Sequence, residues 1–254
     1  MRIARFTTGD DPRYAVVDGD DLEVLSGDPL YTPLNPTGQR VPLESARLLA
    51  PIIPRSKIVG IGRNYAAHAA ELGNEVPERP IVFLKPNTSV IGPDDPIVLP
   101  SYSRDVHHEA ELAVVISRLC KDVPPERAKD VILGYTAAND VTARDVQKED
   151  ATWTRGKSFD TSCPLGPFLV MDLDISDLRV QARVDGDLRQ DGSTAQMIYS
   201  VPDLIAYVSS IFTLLPGDVI LTGTPAGVGP IEEGQRVEVE VEGIGVLGNP
   251  VVRR

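Results

Sequence analysis

The sequence predicts a mixed, β-dominated α+β fold, with a small N-terminal β domain and Pro-rich linker over residues 1–55 and a larger β-rich domain over residues 56–254. Three observations support this expectation. Short apolar or alternating runs recur along the chain, bounded by Gly, Pro, Asn or Asp. Helical signals are confined to a few short, peripheral-looking segments. The strands do not alternate regularly with long helices, which disfavours a doubly wound nucleotide-binding sheet.

In chain order, Arg2 to Phe6 alternates in polarity, Tyr14 to Val17 is a compact apolar run, and Asp18-Gly19-Asp20-Asp21 turns into Leu22 to Leu25. Together these read as a small meander. Pro29, Pro33, Pro36, Pro42, Pro51 and Pro54 follow. Proline fixes φ and lacks an N–H donor, so this stretch reads as a connection rather than as helix or central strand. Ile58 to Ile61 is the next strand, after which Asn64 is expected to cap a helix that Gly73 ends. That helix carries His68 and Glu71. Further strands are expected at Ile81 to Leu84, Glu109 to Ser117, Val131 to Ala138, Phe168 to Met171, Leu178 to Val184, Val219 to Thr222 and Arg236 to Val241. Helices are expected after Pro124-Pro125, after Asp140, and from Ser200 to about Leu214, where Ser200 and Asp203 can form a capping box around Pro202.

Composition narrows the function. Apolar residues make up 42% and charged residues 24% of the 254-residue chain, close to soluble globular averages. No apolar run approaches the roughly 18 residues that cross a bilayer, and the N-terminus lacks a signal-type apolar stretch, so no membrane partner and a cytoplasmic location are expected. Cys120 and Cys163 are too few for a disulfide framework and are expected as buried thiols. The formal net charge of −12 repels a phosphate backbone and no Lys/Arg cluster offsets it, which argues against nucleic acid. An anionic substrate would need a local positive centre, such as a divalent cation with a few Lys or Arg.

The acids suggest where that centre lies. Glu109 and Glu111 are two residues apart at the start of an apolar run, so in a strand both face one way. Their face continues as Ala113 and Val115, which makes it apolar and expensive for unneutralised carboxylates. Arg236-Val237-Glu238-Val239-Glu240-Val241-Glu242 is the contrasting case, an ordinary amphipathic strand with its glutamates in water. Asp140 ends another apolar run and is placed to add a third ligand; its alternative role is a helix cap paired with Arg144. Carboxylates alone point to a hard cation, Mg²⁺ or Mn²⁺, with Ca²⁺ as a substitute, and away from zinc. His107 and His108 are assigned no ligand role.

Several segments carry a family resemblance. Gly60-Ile61-Gly62-Arg63-Asn64-Tyr65-Ala66-Ala67-His68-Ala69-Ala70-Glu71 resembles the G-x-N-Y-x-x-H-x-x-E signature of the fumarylacetoacetate hydrolase family. In the family's order follow Phe83-Leu84-Lys85-Pro86, His108-Glu109-Ala110-Glu111-Leu112, Asn139-Asp140-Val141-Thr142-Ala143-Arg144-Asp145, Lys157-Ser158-Phe159-Asp160 and Gly217-Asp218-Val219-Ile220-Leu221-Thr222-Gly223-Thr224-Pro225. The resemblance implies a β-sandwich or β-roll catalytic domain, a homodimer, and Glu109, Glu111 and Asp140 as metal ligands. It also implies His68 and Glu71 as a catalytic pair on a mobile helix and Lys157 as catalytic, with Arg63, Gln147 and Thr224 at the substrate. On physical grounds, Glu71 at i+3 can orient His68 and raise its basicity, while Lys157 can stabilise developing negative charge. Gly223 to Gly229 lacks a phosphate loop's Gly-Lys-Ser/Thr ending and is read as a tight loop beside the site.

The resemblance implies a small oxo-acid or dicarboxylate substrate, reacting through an enolate that a chelated metal stabilises. The first expectation is hydrolytic C–C cleavage of an acylpyruvate-type substrate. The alternatives are an isomerase of hydroxymuconate or heptadienedioate type in aromatic-acid catabolism, an oxaloacetate decarboxylase, and a non-catalytic oxo-acid-binding protein.

Overall fold

The Ala110–Ile116 strand, buried at every position, organises the molecule, whose computed structural model describes residues 1–253. Alternation sends Ala110, Leu112, Val114 and Ile116 into one core and Ala113 and Val115 into another on the opposite face. Each fully buried Val, Leu or Ile there contributes about 1.5–3 kcal/mol relative to exposure. The first core lies between this sheet and a second one, and includes Val180, Val239 and Val241 together with Val201, Leu204, Ile205 and Val208 of the Val201–Ile211 helix. That helix begins with the expected Ser200–Asp203 capping box.

The main sheet runs Pro36–Pro42, Asp21–Leu25, Arg13–Asp18, Arg2–Thr7, Cys163–Val170, Ile132–Asn139, Ala110–Ile116, Val219–Leu221, Ile58–Gly62, Ile81–Lys85. The N-terminal meander therefore joins the large sheet, with Arg2 opposite Val170 and Ile3 opposite Leu169. A five-stranded sheet runs Asp187–Ser193, Arg179–Val184, Arg236–Val241, Gly245–Arg253, Ile97–Leu99. A small third sheet joins Thr142–Ala143, Val106–His108 and Gly229–Pro230.

Several expectations need correction. The Pro-rich stretch is not wholly a connection: Pro36–Pro42 is a strand, tolerable because it lies at the sheet's edge, and Arg47–Leu49 pairs with Arg5 to Thr7. Asn64 does not cap the Ala66–Glu71 helix, whose N-cap is Tyr65 without a side-chain bond. Its buried amide instead donates to Tyr199 O (3.0 Å) and Thr222 O (2.8 Å) and accepts from Tyr199 N–H (2.8 Å). Three backbone partners satisfy a buried amide more fully than one helix N–H would. Gly73, at φ +68°, does follow the helix end. The strand expected over Glu109 to Ser117 runs from Ala110 to Ile116, and a separate strand, Val106–His108, precedes it with a break at Glu109. The strand expected at Phe168 to Met171 begins earlier, at Cys163. Val106–His108, Asp187–Ser193 and Gly245–Arg253 were not anticipated at all.

Candidate metal centre

Glu109 sits where the chain leaves the small sheet for the main one, and this break aims its carboxylate at those of Glu111 and Asp140. One oxygen from each lies within 4.8 Å of the others, and all three residues are buried. Backbone bonds fix the spacing: Glu109 N–H donates to Asn139 Oδ1 (2.9 Å) and Asp140 N–H to Glu109 O (2.9 Å). Gly223 N–H donates to Glu111 Oε2 at 2.6 Å. A Cβ at Gly223 would lie 2.7 Å from that of Asn64, and its φ is +96°, so both space and conformation favour glycine there.

Three cations meet two of the three acids. Lys157 Nζ contacts Glu109 Oε2 at 2.7 Å and Asp140 Oδ2 at 2.5 Å, Lys85 Nζ contacts Asp140 Oδ1 at 2.7 Å, and Arg144 Nη2 pairs with Glu109 Oε1. Burial by itself raises the Glu109 carboxyl, but Lys157 and Arg144 outweigh it and hold the group well below the ordinary carboxylate range. Glu111 lacks an adjacent ammonium; burial, with Asp140 and Glu109 alongside, pushes it well above that range. The Lys157 ammonium is kept charged by Asp140 and Glu109 against the opposing effect of burial.

This donor set fits a hard divalent cation. It is all oxygen and formally triply anionic, and among the described residues only Gly223 N–H donates to Glu111. Lys157 Nζ bridges Glu109 and Asp140, so a positive group is accommodated between these two acids. Asp140 is not the cap of the Arg144–Glu149 helix, which starts from Ala143 with no side-chain bond, and Arg144 reaches Glu109 rather than Asp140. The alternative of a capping Asp140 paired with Arg144 therefore fails.

Glu109 and Glu111 form the floor of a cavity of about 610 Å³ that Arg63, His68, Glu71, Gln147, Lys157 and Thr224 also line. His68 Nδ1 faces Glu71 Oε2 at 3.4 Å, and Glu71 accepts the Gly227 N–H at 3.0 and 3.2 Å. Burial lowers the affinity of His68 for a proton, which favours the neutral imidazole. Thr224 Oγ1 is engaged by protein on both sides, donating to Ala110 O (2.8 Å) and accepting from Gln190 Nε2 (2.7 Å). Gln147 accepts from Arg144 Nη1 at 2.6 Å, and Arg63 adopts a left-handed φ of +58°. Outside the cluster, burial pushes the Cys163 thiol up to about 12 and also raises Cys120. His108 falls to about 4, chiefly through burial.

Lys85 and Trp153 were missed as site residues. Lys85 is fully buried and also donates to Lys157 O, so it supports both Asp140 and the backbone of Lys157. A charged residue directly after the apolar run Ile81 to Leu84 was its signal. Trp153, at φ +61°, lines the cavity and stacks edge-on against Phe83 at 5.9 Å; nothing local in the sequence marked it.

Two family models match the chain. A family model described as fumarylacetoacetate (FAA) hydrolase C-terminal matches residues 57–252, and one described as Rv2993c-like, N-terminal matches residues 1–51. The solved 5-carboxymethyl-2-hydroxymuconate delta-isomerase of Mycobacterium smegmatis is 50% identical over 100% of both chains, with a TM-score of 0.93. A mitochondrial oxaloacetate decarboxylase of Dictyostelium discoideum is 46% identical over 195 residues, 74% of this chain and 89% of the relative. The fumarylpyruvate hydrolase of Pseudomonas aeruginosa, solved with Mn²⁺ and pyruvate, is 34% identical over 82% of this chain and 92% of its own, with a TM-score of 0.75.

Proposed function

The chain belongs to the fumarylacetoacetate hydrolase family and is an enzyme of that family, and from that premise we propose that it is a divalent-metal-dependent hydrolase cleaving a C–C bond in an acylpyruvate-type oxo-acid. The observation that carries this reading is a buried imidazole, set against a carboxylate, that opens onto the same cavity as the convergent acids.

Glu109, Glu111 and Asp140 would hold Mg²⁺ or Mn²⁺. When bound, such an ion supplies Lewis-acid polarisation of the oxo-acid end of the substrate. His68 donates its Nδ1 proton toward Glu71, which leaves Nε2 with a lone pair to take a proton from water. Glu71 keeps that tautomer in place and is itself held by Gly227 N–H. Lys157 brings an ammonium to the cavity floor, where it offsets negative charge developing on substrate oxygen. Arg63, Gln147 and Thr224, all on the cavity wall, are the proposed substrate contacts.

An isomerase reading is favoured by the 50% identity to the M. smegmatis isomerase over the full chain. Both readings are tested by offering the Mn²⁺-loaded protein acylpyruvates, hydroxymuconate-type acids and oxaloacetate. Hydrolysis requires ¹⁸O from solvent water to enter a product carboxylate; isomerisation without incorporation moves the second reading to first. A second copy of the chain is a further proposal, supported by the unpaired edge strand Ile81–Lys85, whose Leu84 is 46% exposed. Light scattering giving a monomer mass would remove it.

A further inference from the structure

We propose that Gln190 is a positioning residue that holds the Glu109 bend in register with the loop that receives Glu111 and Glu71. Gln190 belongs to the Asp187–Ser193 strand of the five-stranded sheet and is fully buried, but it does not line the cavity. Its amide uses all four hydrogen-bonding positions. Oε1 accepts from Ala110 N–H at 2.9 Å and contacts His108 Nδ1 at 3.0 Å. Nε2 donates to Thr224 Oγ1 at 2.7 Å and to Pro225 O at 2.8 Å. Because Oε1 can only accept, His108 carries its proton on Nδ1.

Two consequences follow from which residues these are. His108 and Ala110 flank Glu109, so the acceptor side of the amide grips the break from which that carboxylate emerges. Thr224 and Pro225 lie between Gly223, whose N–H holds Glu111, and Gly227, whose N–H holds Glu71. Thr224 Oγ1 returns its own proton to Ala110 O at 2.8 Å, which closes a ring from Ala110 through Gln190 and Thr224 back to Ala110. A closed buried ring of this kind has one arrangement that satisfies every member.

A separate contact supports the same register. A Cβ at Gly227 would lie 2.2 Å from Arg189 O, so the loop backbone is seated directly on the strand that carries Gln190. The Gly227 N–H points to Glu71 from that seat. Glutamate would keep the acceptor side but lose both donors, methionine would lose all four bonds at similar length, and neither could close the ring.

The inference rests on reading the three acids as metal ligands, and the test separates the two. Mn²⁺ affinity is measured by calorimetry and Gly227 amide exchange is measured relative to amides of Arg2–Thr7, which report general loosening. In Gln190→Met, Mn²⁺ affinity should fall about 10- to 100-fold, the usual effect of removing support behind metal ligands. Gly227 should exchange faster while Arg2–Thr7 does not. A parent-like value of either readout in folded Gln190→Met overturns the proposal. If that variant does not fold, Gln190→Glu decides: near-parent Mn²⁺ affinity with faster Gly227 exchange supports it, and parent-like exchange overturns it. Should the parent chain itself fail to bind Mn²⁺, the metal reading falls, while the Gly227 measurement still judges Gln190.

Discussion

Two strands of this protein place glutamates at alternate positions, and they have opposite fates. Glu109 and Glu111, at the head of Ala110–Ile116, are 3% and 2% exposed, whereas the side chains of Glu238 and Glu240 in Arg236–Val241 are 35% and 47% exposed. Spacing is identical, so spacing does not decide. The remainder of each face does: Ala113 and Val115 continue the first face into a core, while the second contains only glutamates and an arginine. A buried carboxylate must be paired or neutralised. Lys157 and Arg144 meet Glu109 and Lys85 holds the adjoining Asp140, whereas Glu238 and Glu240 have only loose arginine contacts and remain open to water.

The largest test of this contrast is chelation. Removing divalent metal should abolish turnover, and Mg²⁺ or Mn²⁺ should restore it; full activity after exhaustive metal removal would end the metal reading. The same contrast can be read in stability. With Mn²⁺ at a hundredfold excess over its Kd, the folded parent should gain about 2.7 kcal/mol by mass action. Glu111→Gln should lose most of that gain, because an amide is a poor ligand for a hard cation. An undiminished Mn²⁺-induced rise in Tm for this variant would show that the wrong carboxylates were chosen.

A smaller effect belongs to the dyad, which sits on a different element from the ligands. His68→Ala should lower kcat by about 10²- to 10⁴-fold, the usual range for positioned general-base catalysis. Mn²⁺ affinity should stay near the parent's. Glu71→Gln should act in the same direction but more mildly, since the imidazole remains. A His68→Ala variant that hydrolyses at the parental rate removes the proposed base, and one that retains only decarboxylation promotes that chemistry.

The same imidazole sets an expected pH dependence. Burial disfavours its charged form, so the folded group binds its proton more weakly than a free imidazole, and the base form persists to lower pH. A bound divalent cation nearby acts in the same direction. The acid limb of kcat/KM should therefore lie below the ordinary histidine value of about 6.5. A limb at or above that value, abolished by His68→Ala, would mean that the Glu109 and Glu71 carboxylates together outweigh burial.

How much of this was legible follows from range. Glu109, Glu111 and Asp140 were readable because each is defined by its immediate neighbours: an acid beside an apolar run. The Ser200–Asp203 box was equally local. Asn64 was misread because its partners, Tyr199 and Thr222, lie 135 and 158 residues away, and a nearer, weaker role was available. The i+4 spacing offered Arg144 to Asp140 only as an alternative, and Arg144 reaches Glu109 across the small sheet instead. The pairing of Arg2–Thr7 with Cys163–Val170 leaves no trace in either segment, nor does the amide ring closed by Gln190. Alternation shows which residues share a face. It does not show which distant cation will meet that face.

The smallest expected effect is the sharpest check on the comparison. Glu240 has the same Glu-x-Glu spacing as Glu111, but its side chain is 47% exposed and its ion-pair contact with Arg183 is a loose 3.9 Å. Exposed pairs of this kind contribute little, because water screens them and two long side chains must be ordered to form them. Glu240→Gln should therefore change stability by no more than about 0.5 kcal/mol, as surface substitutions usually do. It should leave Mn²⁺ affinity and turnover at parental values, while Glu111→Gln should lower both severely. Were Glu240→Gln to impair Mn²⁺ binding comparably, a Glu-x-Glu strand would matter here wherever it occurred, and burial would no longer explain why one pair binds metal. A null result in Glu240→Gln beside a severe one in Glu111→Gln assigns the difference to the face each carboxylate occupies.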